Sequence, residues 1–273
     1  MVWKESARLS WMSGNAARES IKSGPPRFYS DRRSRNSSVP RVLVVYPVEA
    51  TFVRTDLELL STFCNVTPFH FGEKSSYLAL AKAIFNTDIV FSWFAEGFAA
   101  LGNLGAWLLG KRTITVAGGW DVVGMREIGY GMLLKRRGKW QARVALSSAD
   151  LVLPFSDWSE AAIRRIVPKC RTHRAYLGVD VDKFRPSSKE NIVVSVANIT
   201  RENLTRKGLR AFVTASRSIP EVRFVLVGRH YDGAIEELRA LAGDNISFPG
   251  WLLDSDLRDQ QLLKNWGIMI WMF

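Results

Sequence analysis

Short apolar runs recur along this chain, each followed by a stretch of helical periodicity, and that rhythm narrows its fold more than any other feature. Val42-Leu-Val-Val-Tyr46 is an unbroken, mostly β-branched run, the pattern of a strand buried on both faces of a sheet. Helices are expected over 55–63 and 77–85, and strands over 66–71 and 88–93. The stretch 97–110 is apolar apart from Asn103 and reads as a buried helix, followed by strands at 113–117, 151–155 and 172–176. After the polar break Ser187-Ser-Lys-Glu190 the rhythm restarts, with strands at 192–197, 222–227 and 246–248 and helices at 207–218, 235–242 and 254–264. Such alternation argues for an α/β protein built on parallel sheets with helices on both faces. The chain closes on an apolar run, 267–273, read as a strand with no helix after it. The second half is therefore expected to be cut short, because a terminal buried strand would leave a hydrophobic edge.

With 273 residues the chain has room for about two domains of roughly 100–200 residues each. A hydrophobic content of 47% against 23% charged residues is enough to give both a core. Cys64 and Cys170 are too few for a disulfide framework and have no metal-ligand spacing, and His70, His173 and His230 are scattered. A reducing, cytoplasmic setting fits this usage. No segment reaches the ~20 apolar residues that a membrane span needs. The net charge of +12 has two sources. Residues 1–40 hold eight Lys/Arg against three Asp/Glu and little periodicity, and are expected to be a disordered basic tail. The rest is spread over the folded part, including Lys135-Arg136-Arg137. A surplus of this kind favours anionic partners: phosphates, acidic lipid headgroups or nucleic acid.

Between the two halves lies Leu177-Gly-Val-Asp-Val-Asp-Lys-Phe-Arg-Pro186. Gly178 permits a turn that a side chain would obstruct, Phe184 is an apolar anchor, and Pro186 stops helix or central strand from continuing. The segment has the make-up of a joint, with a domain over 41–186 before it and another over 187–273 after it. It resembles the interdomain signature of glycosyltransferase family 4, the retaining enzymes of GT-B fold. The resemblance implies two Rossmann-like parallel-sheet domains facing a cleft, the second incomplete here. The first would be of acceptor type and the second would bind the nucleotide sugar.

Ligands of open α/β sheets bind beyond the carboxyl ends of the strands, so the polar loops there carry the candidates. Thr200-Arg-Glu-Asn-Leu-Thr-Arg-Lys-Gly208 follows the first strand of the second half. Its cations, at the start of a helix, suit a diphosphate. The family's Lys-Gly element is matched by Lys207-Gly208. Its arginine normally follows the strand in a Gly-Arg pair, but Ala197-Asn198 stands there, so that role passes to Arg201 or Arg206. Phe224-Val-Leu-Val-Gly228-Arg229 comes next in family order, and Phe248-Pro-Gly-Trp251 resembles the loop near the donor's base. Trp251 either stacks on that base or packs in the core.

In the first half, Ala117-Gly-Gly-Trp-Asp-Val-Val-Gly124 resembles the family's acceptor-facing His-Gly-x-Asp loop, with Gly118 where histidine is common. Asp121 either orients or deprotonates an acceptor hydroxyl or caps a helix. The loop after the first strand lacks the family's glycines and offers only Arg54 and Asp56, for which a structural role is favoured. Ser156 reads as a helix cap. The family's paired glutamates, separated by seven residues and so eight positions apart, would lie just beyond the end of this sequence.

By resemblance, then, the chain is expected to be a retaining glycosyltransferase moving sugar from a nucleotide sugar to a glycan or lipid-linked acceptor, weakly active or inactive as it stands. The donor would meet Arg201, Arg206, Lys207, Gly208, Gly228 and Trp251, and Asp121 would be catalytic. No metal or other cofactor is implied. The alternative is a non-catalytic glycan-binding or partner module derived from such an enzyme. An anionic membrane surface is a further candidate partner. No nucleic-acid recognition motif is present.

Overall fold

The computed structural model describes residues 39–73, 75–178, 191–252 and 268–270. Between Leu177 and Gly178 the chain divides into two compact units. The expected tail up to residue 38, the remainder of the joint over 179–186 and the expected helix at 254–264 lie outside the described residues.

The first unit runs β1 (Arg41–Tyr46), α1 (Thr51–Ser61), β2 (Asn65–His70), α2 (Tyr77–Phe85), β3 (Ile89–Trp93) and α3 (Gly97–Leu108). It continues with β4 (Arg112–Ala117), three single-turn 3-10 segments, α4 (Arg136–Ser148), β5 (Leu151–Pro154) and α5 (Asp157–Ile166). Its strands form one parallel sheet in the order β2-β1-β3-β4-β5. The unbroken run of β1 is buried on both sides. Leu43 and Val45 join a core with residues of α2, α3, α4 and α5, whereas Val42, Val44 and Tyr46 join another with Val53 of α1, Phe91 and Trp93. Alternate residues thus face opposite layers, and each such side chain contributes roughly 1.5–3 kcal/mol by leaving water. Asn103, fully buried in α3, donates through Nδ2 to Thr115 Oγ1 at 3.0 Å and to the Ala145 carbonyl at 2.9 Å. One amide therefore ties α3 to both β4 and α4.

Two expectations change here. The stretch at 97–110 is a helix but not a buried one. Phe98, Ala99, Ala100, Gly102, Asn103 and Ala106 are buried, while Leu101, Leu104, Trp107 and Leu108 face water. The one strongly polar residue of the run, Asn103, is on the buried side, so no polar face marks the outside and packing decides. The segment 172–176 is extended beside β5, with His173 N–H donating to the Val152 carbonyl and Ala175 N–H to that of Pro154. It forms only an isolated parallel bridge, Val152 with Thr172. Pro154 has no N–H to return the next bond, so the ladder stops there.

The second unit runs β6 (Ile192–Val196), α6 (Arg201–Arg206), α7 (Leu209–Ser218), β7 (Arg223–Val227), α8 (Ala234–Leu241), β8 (Ile246–Gly250) and β9 (Ile268–Ile270). Its sheet is parallel in the order β8-β7-β6-β9. The closing apolar run therefore does supply a strand, paired beside β6. Phe224 and Leu226 pack with α7 and α8, and Ile192, Val194, Val225 and Val227 face the other side. The helix expected over 207–218 is α7, and a short helix not expected from the sequence, α6, precedes it within the polar loop. Gly208 sits in the left-handed region at φ 61° and turns the chain between α6 and α7.

Candidate functional site

At the carboxyl end of the first sheet, β3 is followed directly by Phe94, whose φ of 74° is unusual for a bulky side chain. The bend is held by Phe94 N–H donating to the Val116 carbonyl at 2.8 Å. The Phe94 ring lies against Gly118, where a Cβ would come 2.6 Å from its edge. That contact is why glycine occupies the position at which a histidine was the family expectation. Gly119 follows at φ 148°, a conformation that suits glycine.

Asp121 organises this loop. Its carboxylate is fully buried and accepts N–H bonds from Ala95 at 2.8 Å, Gly118 at 3.0 Å and Gly119 at 2.8 Å. Burial pushes its pKa up, and the three amides, with the residue's own backbone N–H, pull it back. Neither of the two roles left open by the sequence describes this geometry. The carboxylate caps no regular helix, and it clamps the ends of β3 and β4 together. A second carboxyl stands beside it. Glu96, half-buried at the N-terminus of α3, is pushed up in pKa by burial and by the charge of Asp121. Around the same loop Trp120 and Trp158 are each about half exposed, at 44% and 50%, with the Trp158 ring 3.8 Å from where a Gly119 Cβ would lie. Glu96, Trp120 and Trp158 carried no distinguishing spacing in the sequence. Their one signal was position just after an expected strand. Ser156 caps α5 as expected, in a reciprocal pair with Ser159.

At the carboxyl end of the second sheet the expected donor residues fall into two groups. Arg201 and Arg206 are committed to protein partners. Arg201 donates its backbone N–H to both Asp232 carboxylate oxygens at 3.1 Å, and its Nε to the Asp232 carbonyl. Arg206 donates to Asn203 Oδ1 from Nε at 3.1 Å and Nη2 at 2.6 Å and pairs with Glu202. Thr200 takes the Asn203 N–H. The first amides of α6 are thus capped by the chain itself, and the helix start that the sequence pairs with these cations is that of α7. The Lys207-Gly208 step lies at the next break. Lys207 is half-buried and forms no ion pair among the described residues, and burial together with the neighbouring Arg206 charge lowers its pKa. Gly208 caps α7 without any side-chain bond to its amides.

Gly228 follows β7 with φ 155°, and a Cβ there would stand 1.9 Å from the Ala197 carbonyl oxygen. Its role in the structure is to let the ends of β6 and β7 approach. Its N–H donates to the Gly250 carbonyl at 2.9 Å, which draws in the end of β8. Trp251 is 54% exposed, so it is not a core residue, and the Arg229 guanidinium lies over its ring at 4.7 Å. Among the described residues no group of three or more His, Cys, Asp or Glu could hold a metal ion. None of the helices among them is long and apolar enough to cross a membrane.

Two parallel α/β units, each with polar loops gathered at the carboxyl ends of its strands, are the architecture of a GT-B protein. Solved structures similar to the chain include the UDP-GlcNAc 2-epimerase of Methanocaldococcus jannaschii, at 8% identity and a TM-score of 0.50 over 85% of this chain and 78% of that one. A trehalose-6-phosphate synthase matches at 10% identity and a TM-score of 0.51, over 80% of this chain and 74% of that one. At such identities the likeness shows the fold, and the fold is GT-B. No family model matches the chain, and no curated protein sequence does either.

Proposed function

We propose that the chain is a nucleotide-sugar-dependent glycosyltransferase of the retaining family 4 kind, acting on a glycan or lipid-linked acceptor in the cytoplasm. The observation that carries this reading is Lys207, a half-buried ammonium with no ion-pair partner among the described residues, beside the uncapped start of α7. A diphosphate placed there would gain the lysine charge and the free amides of the helix end. As the glycosyl bond breaks, negative charge grows on the leaving diphosphate, and fixed positive charge stabilises it. Arg206 supports Lys207 from the preceding turn, and Arg201 holds the loop through Asp232. Gly208 and Gly228 shape the loops, and Trp251, already stacked on one side by Arg229, offers its other surface to a base. The reading asks for no resident metal or organic cofactor.

In the first unit, Glu96 with Trp120 and Trp158 forms the acceptor side of the proposal. Glu96 is the carboxyl placed to meet an acceptor hydroxyl, and Asp121 is a positioning residue that holds the loop for it. Isothermal titration with UDP, GDP and ADP tests the donor half. One of them should bind, and Lys207→Ala should weaken it ten-fold or more without changing the circular dichroism. Equal affinity in the variant, or no binding of any nucleoside diphosphate, overturns the donor assignment.

One observation favours the second reading, a non-catalytic glycan-binding module: Asp121 is fully buried and held by amide donors. Binding of oligosaccharides without any nucleoside diphosphate affinity would select that module.

A further inference from the structure

The first unit carries a second site that transfer chemistry does not use. Leu133, Arg136, Lys139, Trp140, Arg143, Arg165 and Ile166 line a groove of about 410 Å³. Four cations from α4 and α5 converge there around an apolar floor, and Trp140 is 59% exposed beside them. Among the described residues these four form no ion pair, although Arg164, next in sequence to Arg165, is paired with Glu160. Neither α3 nor α4 contains an acidic residue. Like charges held together without counter-charge are kept apart by water alone, so an anionic partner is strongly favoured.

The neighbouring helix narrows the choice of partner. α3 is tied to α4 through Asn103 and the Ala145 carbonyl, and it turns Leu101, Leu104, Trp107 and Leu108 outward, Trp107 and Leu108 at 71% and 74% exposure. A nucleic acid or an acidic peptide would satisfy the cations and leave this apolar row in water. A bilayer with acidic headgroups satisfies both, taking the cations at its phosphates and the Trp and Leu side chains at the acyl boundary. We infer that the α3–α4 face, with the Arg136–Lys139–Arg143–Arg165 groove, docks this protein on an anionic membrane surface. The inference is independent of glycosyl transfer and survives its failure, since no nucleotide sugar enters the test.

The test is vesicle flotation of the full chain, comparing pure phosphatidylcholine with vesicles holding roughly a third phosphatidylglycerol. Binding should require phosphatidylglycerol and fall as salt is raised. Each cation near the surface is worth about five-fold in affinity, so Arg136→Gln, Lys139→Gln, Arg143→Gln and Arg165→Gln together should cost a hundred-fold or more. Trp107→Ser with Leu108→Ser should cost about ten-fold and remove whatever binding persists at high salt. Arg32→Gln, Arg33→Gln and Arg35→Gln, in the basic N-terminal segment, serve as the control and should change affinity by no more than about three-fold. Unaltered thermal melting shows that each variant is folded. The inference fails if pure phosphatidylcholine binds equally, or if the control variant abolishes binding while the groove variant keeps it. It also fails if millimolar inorganic phosphate or glycerol phosphate displaces the vesicles completely, since the groove would then be a site for free phosphate. Absence of vesicle binding together with tight binding to duplex DNA would overturn it in favour of nucleic acid.

Discussion

In the first unit the loop after β4 is clamped by Asp121, a carboxylate without solvent exposure that accepts from three backbone amides. In the second unit the loop after β6 is clamped by Asp232, a surface carboxylate in a left-handed backbone conformation that accepts from the Arg201 amide. The clamps do the same mechanical work at the same end of a parallel sheet, but they leave different electrostatics behind. Burying Asp121 puts acidic character at the first strand ends, where it raises the pKa of Glu96 further, after that residue's own burial. The second unit keeps its carboxylate in water and buries part of a cation instead, Lys207. One scaffold can therefore present a proton acceptor in one copy and an anion site in the other, according to which sign of charge is desolvated.

The largest expected effect lies where the second unit's strand ends meet. Gly228→Ala would drive a Cβ into the Ala197 carbonyl, and should cost about 4 kcal/mol or more. Hydrogen exchange should show the loss in β6 and β7 while β1 and β3 keep their protection. Uniform loss of protection would mean the two units do not unfold separately.

The clamps themselves come next. Asp121→Ala strands three amides in a dry site and should cost on the order of 3 kcal/mol, whereas Asp232→Ala opens an exposed amide and should cost about 1 kcal/mol or less. Urea titrations of the two variants compare them directly, and equal costs would break the contrast between buried and exposed clamps.

A third prediction concerns another desolvated acid of the first unit. Burial raises the pKa of Asp56 on α1 to about 7. The Trp93 indole N–H beside it, which meets no acceptor at normal hydrogen-bond geometry, offsets that only in part. A carboxyl whose folded pKa is raised favours the folded state while protonated. That stability is complete below pH ~4 and is lost as pH rises through about 7. Asp56→Asn should therefore stabilise the protein at pH 8 by on the order of 2–4 kcal/mol, and by almost nothing at pH 4. Thermal melts across this range check the sign; a gain independent of pH would rule out the titration.

The smallest effect has the opposite sign. Arg174 above all, then Thr172 and Arg164, hold the Glu160 carboxyl down to about 2 against the opposing effect of burial. A depressed pKa gives stability that is present at neutral pH and lost as pH falls from about 4.5 toward 2. Glu160→Gln should cost about 1–2 kcal/mol at pH 7, since its arginine partners are largely exposed and screened, and nothing at pH 2. Melts of wild type and variant that stay parallel down to pH 2 would remove Glu160 from the account.

Much of the fold could be read from residue order. Val42–Tyr46 and Phe224–Val227 are continuous apolar runs, and a parallel sheet between helical layers is the environment that buries both faces of such runs. Tyr77–Phe85 appears as a helix with the bounds its periodicity indicates. Misread elements were those whose outcome depended on a neighbour. Residues 172–176 have strand composition, but their partner edge contains Pro154. Residues 201–206 read as a polar loop but form α6, held at its start by Asp232 from a distant part of the chain. The candidate site was less legible. Lys207-Gly208 stood out by its family resemblance and its place before an expected helix, but the commitment of Arg201 to Asp232, 31 positions away, and the pairing of Glu96 with Asp121 have no local signature.

The sequence by itself determined the layered α/β architecture, the strand ends as the place where ligand chemistry can gather, and the lysine–glycine step on which the donor reading rests. The first two follow from periodicities of two and 3.6 residues, which act over short stretches of chain, and the third from a local motif that resembles a family element. Only the tertiary structure decided which charges lose their water. It buried Asp121 among amides, left Lys207 without an ion-pair partner among the described residues, and turned Leu101, Leu104, Trp107 and Leu108 outward beside an acid-free cationic groove. Desolvation is a property of everything packed around a group, and for these residues the packing partners come from distant parts of the chain.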